Sequence, residues 1–158
     1  MKGDASVIDY LNQVLKGELT AVNQYFLHAR IFRNWGFEAL NEHEYHESID
    51  EMKHADMLIE RLLFLEGLPN LQSLGALRIG QTTEEIFAAD LALEHDAIPV
   101  LRTAIAHCEK LSDYVTRDLL EHILKSEESH VDWLETQISL IATLGIAPYL
   151  QGKVAKSS

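Results

Sequence analysis

Glu-x-x-His occurs twice in this chain, as Glu51/His54 in ESIDEMKHAD (residues 47–56) and as Glu127/His130 in KSEESHVDWL (residues 125–134). On a helix, residues three apart share a face, so each pair aims a carboxylate and an imidazole in one direction. That is a metal-ligand arrangement. With 16 Glu and 8 His in 158 residues, about one such pair arises by chance, so the surroundings of the pairs must decide.

Those surroundings are apolar seams. Steps of three and four give Ile8, Leu11, Leu15, Glu18, Val22, Tyr25, Ala29, Phe32 in one segment, with a single charge at its middle. A second seam reads Leu40, Glu44, Glu47, Glu51, His54, Leu58, Leu65. The third reads Phe87, Leu91, Glu94, Ile98, Leu101, Ile105, Cys108, and the fourth Leu120, Ile123, Glu127, His130, Leu134, Ile138, Ile141. Each places Glu where burial is expected. Four ionised carboxylates at one level of an apolar interior are very unfavourable unless neutralised. Two divalent cations balance them, and two imidazoles complete the shell. The expectation is that Glu18 and His54 hold one metal, Glu94 and His130 the other, and Glu51 and Glu127 bridge. Mixed nitrogen and oxygen ligation suits iron or manganese, and zinc also fits.

The elements that must carry these residues are helices throughout. The chain reads as all-α, a single domain over 1–158 with helices over about 5–34, 37–66, 83–110 and 113–144 and a short one over about 147–153. Gly36 stands at a C-cap position, TTEE offers an N-cap with acidic first-turn residues, and LSD separates the last two long helices. Pro99 falls inside the third helix and should kink it. Residues 67–82, GLPNLQSLGALRIGQT, have no helical period. Extended, about 16 residues reach roughly 50 Å, more than the ~45 Å of a 30-residue helix. Two antiparallel hairpins joined by one long crossover follow. The midpoint of Glu18 and Glu51 is 34.5 and that of Glu94 and Glu127 is 110.5, each beside a predicted break. Within each hairpin the two carboxylates therefore sit at one height. Adding 76 to positions 18, 51 and 54 gives 94, 127 and 130, so the two hairpins are in register.

The bulk composition agrees. Apolar residues are 47% of the chain, and 25 acidic against 13 basic residues leave a net charge of -12. Nucleic-acid binding needs a basic face, so no such partner is expected. One cysteine, Cys108, excludes an internal disulfide or a CxxC cluster, and reads as a packed small residue. No apolar run suits a membrane span or a signal peptide, which points to the cytoplasm.

A Glu on each of two helices and Glu-x-x-His on the other two resembles the ferritin-like di-iron carboxylate bundles. MKGD, NQYFLHAR, EYHESIDEMKHAD, FLEGLPNL and DWLET further resemble bacterioferritins along the whole chain. The resemblance implies a ferritin-like four-helix bundle and a ferroxidase centre at Glu18, Glu51, His54, Glu94, Glu127 and His130. It implies oxidation of Fe2+ by O2 or peroxide and storage of ferric mineral inside a cage of two dozen subunits, homomeric or mixed with a related subunit. It also implies a short C-terminal helix lining cage pores and a bacterioferritin-associated ferredoxin as partner in iron release.

Met52 points about 100° away from Glu51, off the seam. With Tyr45 and Ile49 it makes an outward apolar stripe, matched on the first helix by Leu19, Asn23 and Phe26. By residue type alone it is an adaptable interface side chain. The resemblance makes it the ligand of haem b, one Met from each of two subunits. The resemblance likewise makes His46 and Asp50 a site that passes iron or electrons at the cavity surface, where residue chemistry alone gives a solvated pair. Tyr25 and Trp133 read as structural aromatics or electron donors. Leu58, Ser139 and Pro148 depart from some relatives, and the remaining histidines, His28, His43, His95, His107 and His122, read as surface or packing residues. Other readings are a di-iron oxygenase or peroxide reductase, a DNA-protecting mini-ferritin, and a haem-carrying subunit without its own centre. Each is disfavoured by the absence of CxxC pairs, the acidic balance, or the complete Glu/His set.

Overall fold

Asp4 accepts the Ser6 N–H at 2.8 Å and opens α1 (Ala5–Trp35), which ends at Gly36 in the left-handed conformation, φ 90°. α2 (Glu38–Phe64) has no side-chain cap; the Ala39 N–H donates instead to the Lys153 carbonyl at 3.1 Å, so the C-terminal segment closes that end. Thr82 caps α3 (Thr83–Lys110) by accepting the Glu85 N–H, and Asp113 caps α4 (Tyr114–Leu144) by accepting the Thr116 N–H. α5 (Ile146–Gln151) follows. The computed structural model describes residues 1–156, and among them there is no β-strand. None of the described helices is long and apolar enough to cross a membrane.

α1 packs mainly on α2 and α3 on α4, giving two hairpins. Ser6 meets His107 at 2.6 Å, so α1 and α3 are antiparallel, and Arg61 reaches Thr116 and Asp113, so α2 and α4 are too. The result is an all-helical four-helix bundle with one long crossover and a short fifth helix. One apolar cluster, including Leu11, Leu58, Leu101, Leu120 and Ile123, fills one end. A second, with Phe32, Leu40, Phe87, Leu134 and Tyr149, fills the other. The buried carboxylates lie between them. α3 continues through Pro99; the His95 carbonyl that loses its partner there lies on an exposed face, where water can satisfy it.

The crossover is held by a ridge of α1 at spacings of four and eight. Asn12 donates to the Leu68 carbonyl and accepts the Asn70 N–H; Thr20, Gln24 and His28 accept the backbone N–H groups of Gly75, Arg78 and Gly80 at 2.9, 3.0 and 3.1 Å. This satisfies backbone groups that the irregular segment cannot pair internally. At Gly80 the chain passes so close to α3 that an added Cβ would lie 2.3 Å from the Ile86 nitrogen. Gly80→Ala is expected to lower stability by about 3 kcal/mol, the range of core overpacking. Urea denaturation measures it; an unchanged midpoint would refute the close approach.

One seam residue is misplaced by simple stepping. Ile138 is 37% exposed, and the buried position on the last turns of α4 belongs to Gln137, which accepts the Tyr149 hydroxyl at 2.6 Å. α5 folds back on that face and supplies a polar partner, so the amide is buried in place of the aliphatic side chain.

Candidate metal centre

The periodicity that buries Leu15 and Phe32 on α1 also buries Glu18; the same holds for Glu51 and His54 on α2, Glu94 on α3, and Glu127 and His130 on α4. All six are at most 4% exposed. Ligand atoms of Glu18, Glu51, His54 and Glu127 lie within 4.8 Å of one another, as do those of Glu94, Glu127 and His130. Glu127 belongs to both groups; Glu51 groups only with the first. His54 Nδ1 stands 3.5 Å from Glu18 Oε2, 3.8 Å from Glu51 Oε1 and 3.3 Å from Glu127 Oε1. His130 Nδ1 bonds Glu94 Oε1 at 3.1 Å, and Tyr25 donates its hydroxyl to that same oxygen. Tyr25 also packs edge-on against His130, centroids 5.0 Å apart, and so steadies both side chains.

Each of the six carries a buried polar atom with no hydrogen-bond partner: Glu18 Oε2, Glu51 Oε1, His54 Nδ1, Glu94 Oε2, Glu127 Oε1 and His130 Nε2. Orphaned buried acceptors are rare in proteins because each carries an unrecovered desolvation penalty. Six converging from four helices fit a cation pair, for which these are the right donor atoms.

The proton affinities reflect the same crowding. Burial pushes Glu94 up to about 8, with Glu127 beside it adding to the rise and His130 opposing it. Burial and the Glu51 charge push Glu127 up to about 8. Burial works against charge on His54 and His130, yet the carboxylates of Glu127 and Glu51 hold His54 at about 10, and Glu94 and Glu47 hold His130 at about 9. Without metal, protons take its place.

Two further groups of buried titratable residues adjoin the centre, and both were missed as sites in the sequence. His28, Glu44 and Asp90 are fully buried together. His28 Nε2 accepts the Gly80 N–H, so Nδ1 carries the proton and donates to Asp90 Oδ1 at 2.8 Å; Gln24 donates to the same oxygen. Burial alone would raise Asp90, but His28, Glu44 and Gln24 hold it below the usual carboxylate range, while burial and Asp90 push Glu44 well above it. The His28–Asp90 pair anchors the crossover through Gly80, while both oxygens of Glu44 and Asp90 Oδ2 have no hydrogen-bond partner. Both nitrogens of His28 are engaged, so it is no ligand. The other group is His43, Glu47 and His130. Burial and neighbouring His130 depress His43 to about 3, leaving it neutral.

The remaining residues singled out in the sequence lie apart from this interior. Met52 is 52% exposed, on a face shared with Phe26 and Tyr45, whose rings are 6.3 Å apart under the Arg30 guanidinium. His46 is exposed and Asp50 half-buried, and neither joins a metal-competent group among the described residues. Trp133 stacks on His43, centroids 3.4 Å apart and 12° from parallel. Leu58 and Cys108 are fully buried; burial pushes the Cys108 thiol up to about 11.

Comparison with known proteins gives the same architecture a context. A family profile described as a ferritin-like domain matches residues 8–144. Bacterioferritin of Mycolicibacterium paratuberculosis is 50% identical over 149 residues, covering 94% of each chain. Bacterioferritin BfrA of Mycobacterium tuberculosis is 50% identical over 92% of this chain and 91% of its own. Bacterioferritin of Brucella melitensis is 48% identical over 96% of this chain and 94% of its own.

Proposed function

The chain belongs to the bacterioferritins within the ferritin-like family, and from that premise we propose that it stores iron as a ferroxidase. Its substrate is Fe2+, its product ferric mineral held inside a homo-oligomeric cage. The observation that carries the reading is the convergence of six unpartnered buried donors on one level of the bundle. We assign Glu18 and His54 to one iron and Glu94 and His130 to the other. Glu127, common to both donor groups, is a bridge, and Glu51 is the second bridge.

Two Fe2+ held there would give up one electron each, which O2 would take up with two protons as hydrogen peroxide, or peroxide with two protons as two waters. The protein does the rest. Four carboxylates favour the harder Fe3+ over Fe2+ and so raise the driving force. His54 and His130 surrender their protons on loading and ligate as neutral imidazoles. The Tyr25 hydroxyl orients Glu94, and the apolar clusters on either side keep bulk water from the site. The test is aerobic addition of Fe2+ to the purified protein. Expected are a fast phase of oxidation and iron that co-elutes with an assembly far larger than 17.9 kDa; slow autoxidation with free precipitate would refute the assignment.

Haem b fits the exposed face of α1 and α2 that presents Phe26, Tyr45 and the half-exposed Met52 thioether. Met52 from each of two subunits would hold the haem iron, and the apolar stripe would cover its faces. Met52→Leu is expected to abolish the Soret band of the purified protein without loss of assembly; an unchanged spectrum would exclude Met52 as a ligand. We place the protein in the cytoplasm, His46 and Asp50 at the cavity surface as a relay for iron or electrons, and a bacterioferritin-associated ferredoxin as reductant in release. All three follow from the family resemblance.

A further inference from the structure

Glu47 has a histidine on each side of its carboxylate. Oε1 is 3.5 Å from His43 Nε2, and Oε2 is 3.7 Å from His130 Nδ1. One ligand atom from each of the three lies within 4.8 Å of the others. His43 Nε2, the nitrogen that faces Glu47, is buried and without a hydrogen bond, while the His130 nitrogen that faces Glu47, Nδ1, is shared with Glu94 Oε1. An unsatisfied buried imidazole nitrogen beside a carboxylate is a donor without a purpose in the metal-free fold.

The placement of the three residues is directional. His43 and Glu47 are one turn apart on α2, with side chains 26% and 16% exposed. The His43 ring lies flat on Trp133, which fixes its plane. On its outer side, His43 lines a surface recess of about 390 Å³ with Glu42, Tyr45 and His46. On its inner side stands His130, 6.2 Å between ring centroids. A cation in the recess thus meets His43 first, Glu47 next, and then the donor group of Glu94, Glu127 and His130. The chemistry of two imidazoles and a carboxylate selects borderline divalent ions such as Fe2+, Co2+ and Zn2+ over Mg2+ or Ca2+. The trio of His28, Glu44 and Asp90 offers no such imidazole donor, since both nitrogens of His28 are bonded.

We propose that His43 and Glu47, completed by His130 only until the inner position fills, form a third divalent-cation position: a loading site through which metal enters the proposed centre. The inference rests on reading the inner six residues as that centre. Loading needs no net chemistry, only exchange of ligands: Glu47 and His130 release toward the interior a cation first taken by His43.

Anaerobic titration of the metal-free assembly with Co2+, which air-stable ligation makes visible by its d–d absorption, tests it. Wild type should bind three Co2+ per subunit in the intrasubunit region, two tightly and one more weakly. His43→Leu should lose the weak one, keep two, and fill them about tenfold more slowly in stopped flow, the scale set by losing a supporting ligand. Anomalous diffraction from Co2+-soaked crystals should place a peak between His43 and Glu47, about 2.1 Å from a His43 nitrogen. Identical stoichiometry and filling rate in wild type and His43→Leu would overturn the proposal. So would loss of the weak ion on His46→Ala with retention on His43→Leu. Failure of the underlying reading looks different: Glu127→Ala would then leave both tight ions in place.

Discussion

Glu127→Gln is expected to remove the fast phase of Fe2+ oxidation, slowing it by about a hundredfold or more, while leaving the metal-free protein as stable as wild type or more so. Among the described residues, this carboxylate alone has ligand atoms in both donor groups. An amide of equal volume keeps the packing but supplies one neutral acceptor in place of a charged bridge, so neither cation is fully balanced. Loss of a residue proposed to bridge both reacting ions is expected to remove stabilisation that no neighbour restores. Stability moves the other way because Glu127 stands within a group of buried carboxylates and its own burial is unfavourable. Replacing such a group by a neutral isostere relieves that cost. Stopped-flow absorbance and thermal denaturation, read on the same sample, measure the two effects. A variant that oxidises Fe2+ at the wild-type rate, or that is strongly destabilised without metal, would show Glu127 to be structural.

The second large effect is one of pH. Glu94 and Glu127 at about 8, His130 at about 9 and His54 at about 10 all hold their protons more firmly in the fold than at their ordinary values of 4.5 and 6.5. Groups raised in this way contribute their full stability below the ordinary value and lose it as pH rises through the folded one. The melting temperature of metal-free protein is therefore expected to fall steadily from about pH 5 to pH 9. Metal binding runs in the opposite direction. Each cation must displace protons, so affinity rises with pH, up to tenfold per unit for every proton displaced. About two to four protons should leave at pH 7 when both positions fill. Calorimetry of chelator-treated protein across that range, with pH-stat titration during Zn2+ addition, reads both. A metal-free protein that grows more stable with pH, or binding without proton release, would contradict the buried proton store. Glu127→Gln should flatten the slope.

Periodicity carried the burial of the six proposed ligands because the burial of a helical residue is set largely by its phase relative to apolar neighbours. Glu18, Glu94 and Glu127 are each the one carboxylate in an apolar stripe, and midpoints beside the breaks at Trp35–Gly36 and Leu111–Ser112 put Glu18 level with Glu51 and Glu94 level with Glu127. Local signals also acted at several helix ends, where Asp4, Thr82, Asp113 and Gly36 bond backbone within a few residues of themselves, whereas the start of α2 is closed by the distant Lys153 carbonyl.

What periodicity could not supply was pairing across the bundle. The ridge of Asn12, Thr20, Gln24 and His28 binds backbone 52 to 58 residues away, and nothing in those side chains names that partner. His28 and His43 look alike in the sequence, as histidines off the main seam. Only the fold makes one a saturated anchor on Asp90 and leaves the other with a free nitrogen facing Glu47. Gln137 replaced Ile138 in the interior for the same reason: α5 brings a hydroxyl to that place. Sequence by itself determined the burial and height of most seam residues, because those follow from the geometry of one helix. The tertiary structure decided which buried polar atoms find partners and which are left for a cation, because hydrogen bonding is a property of pairs.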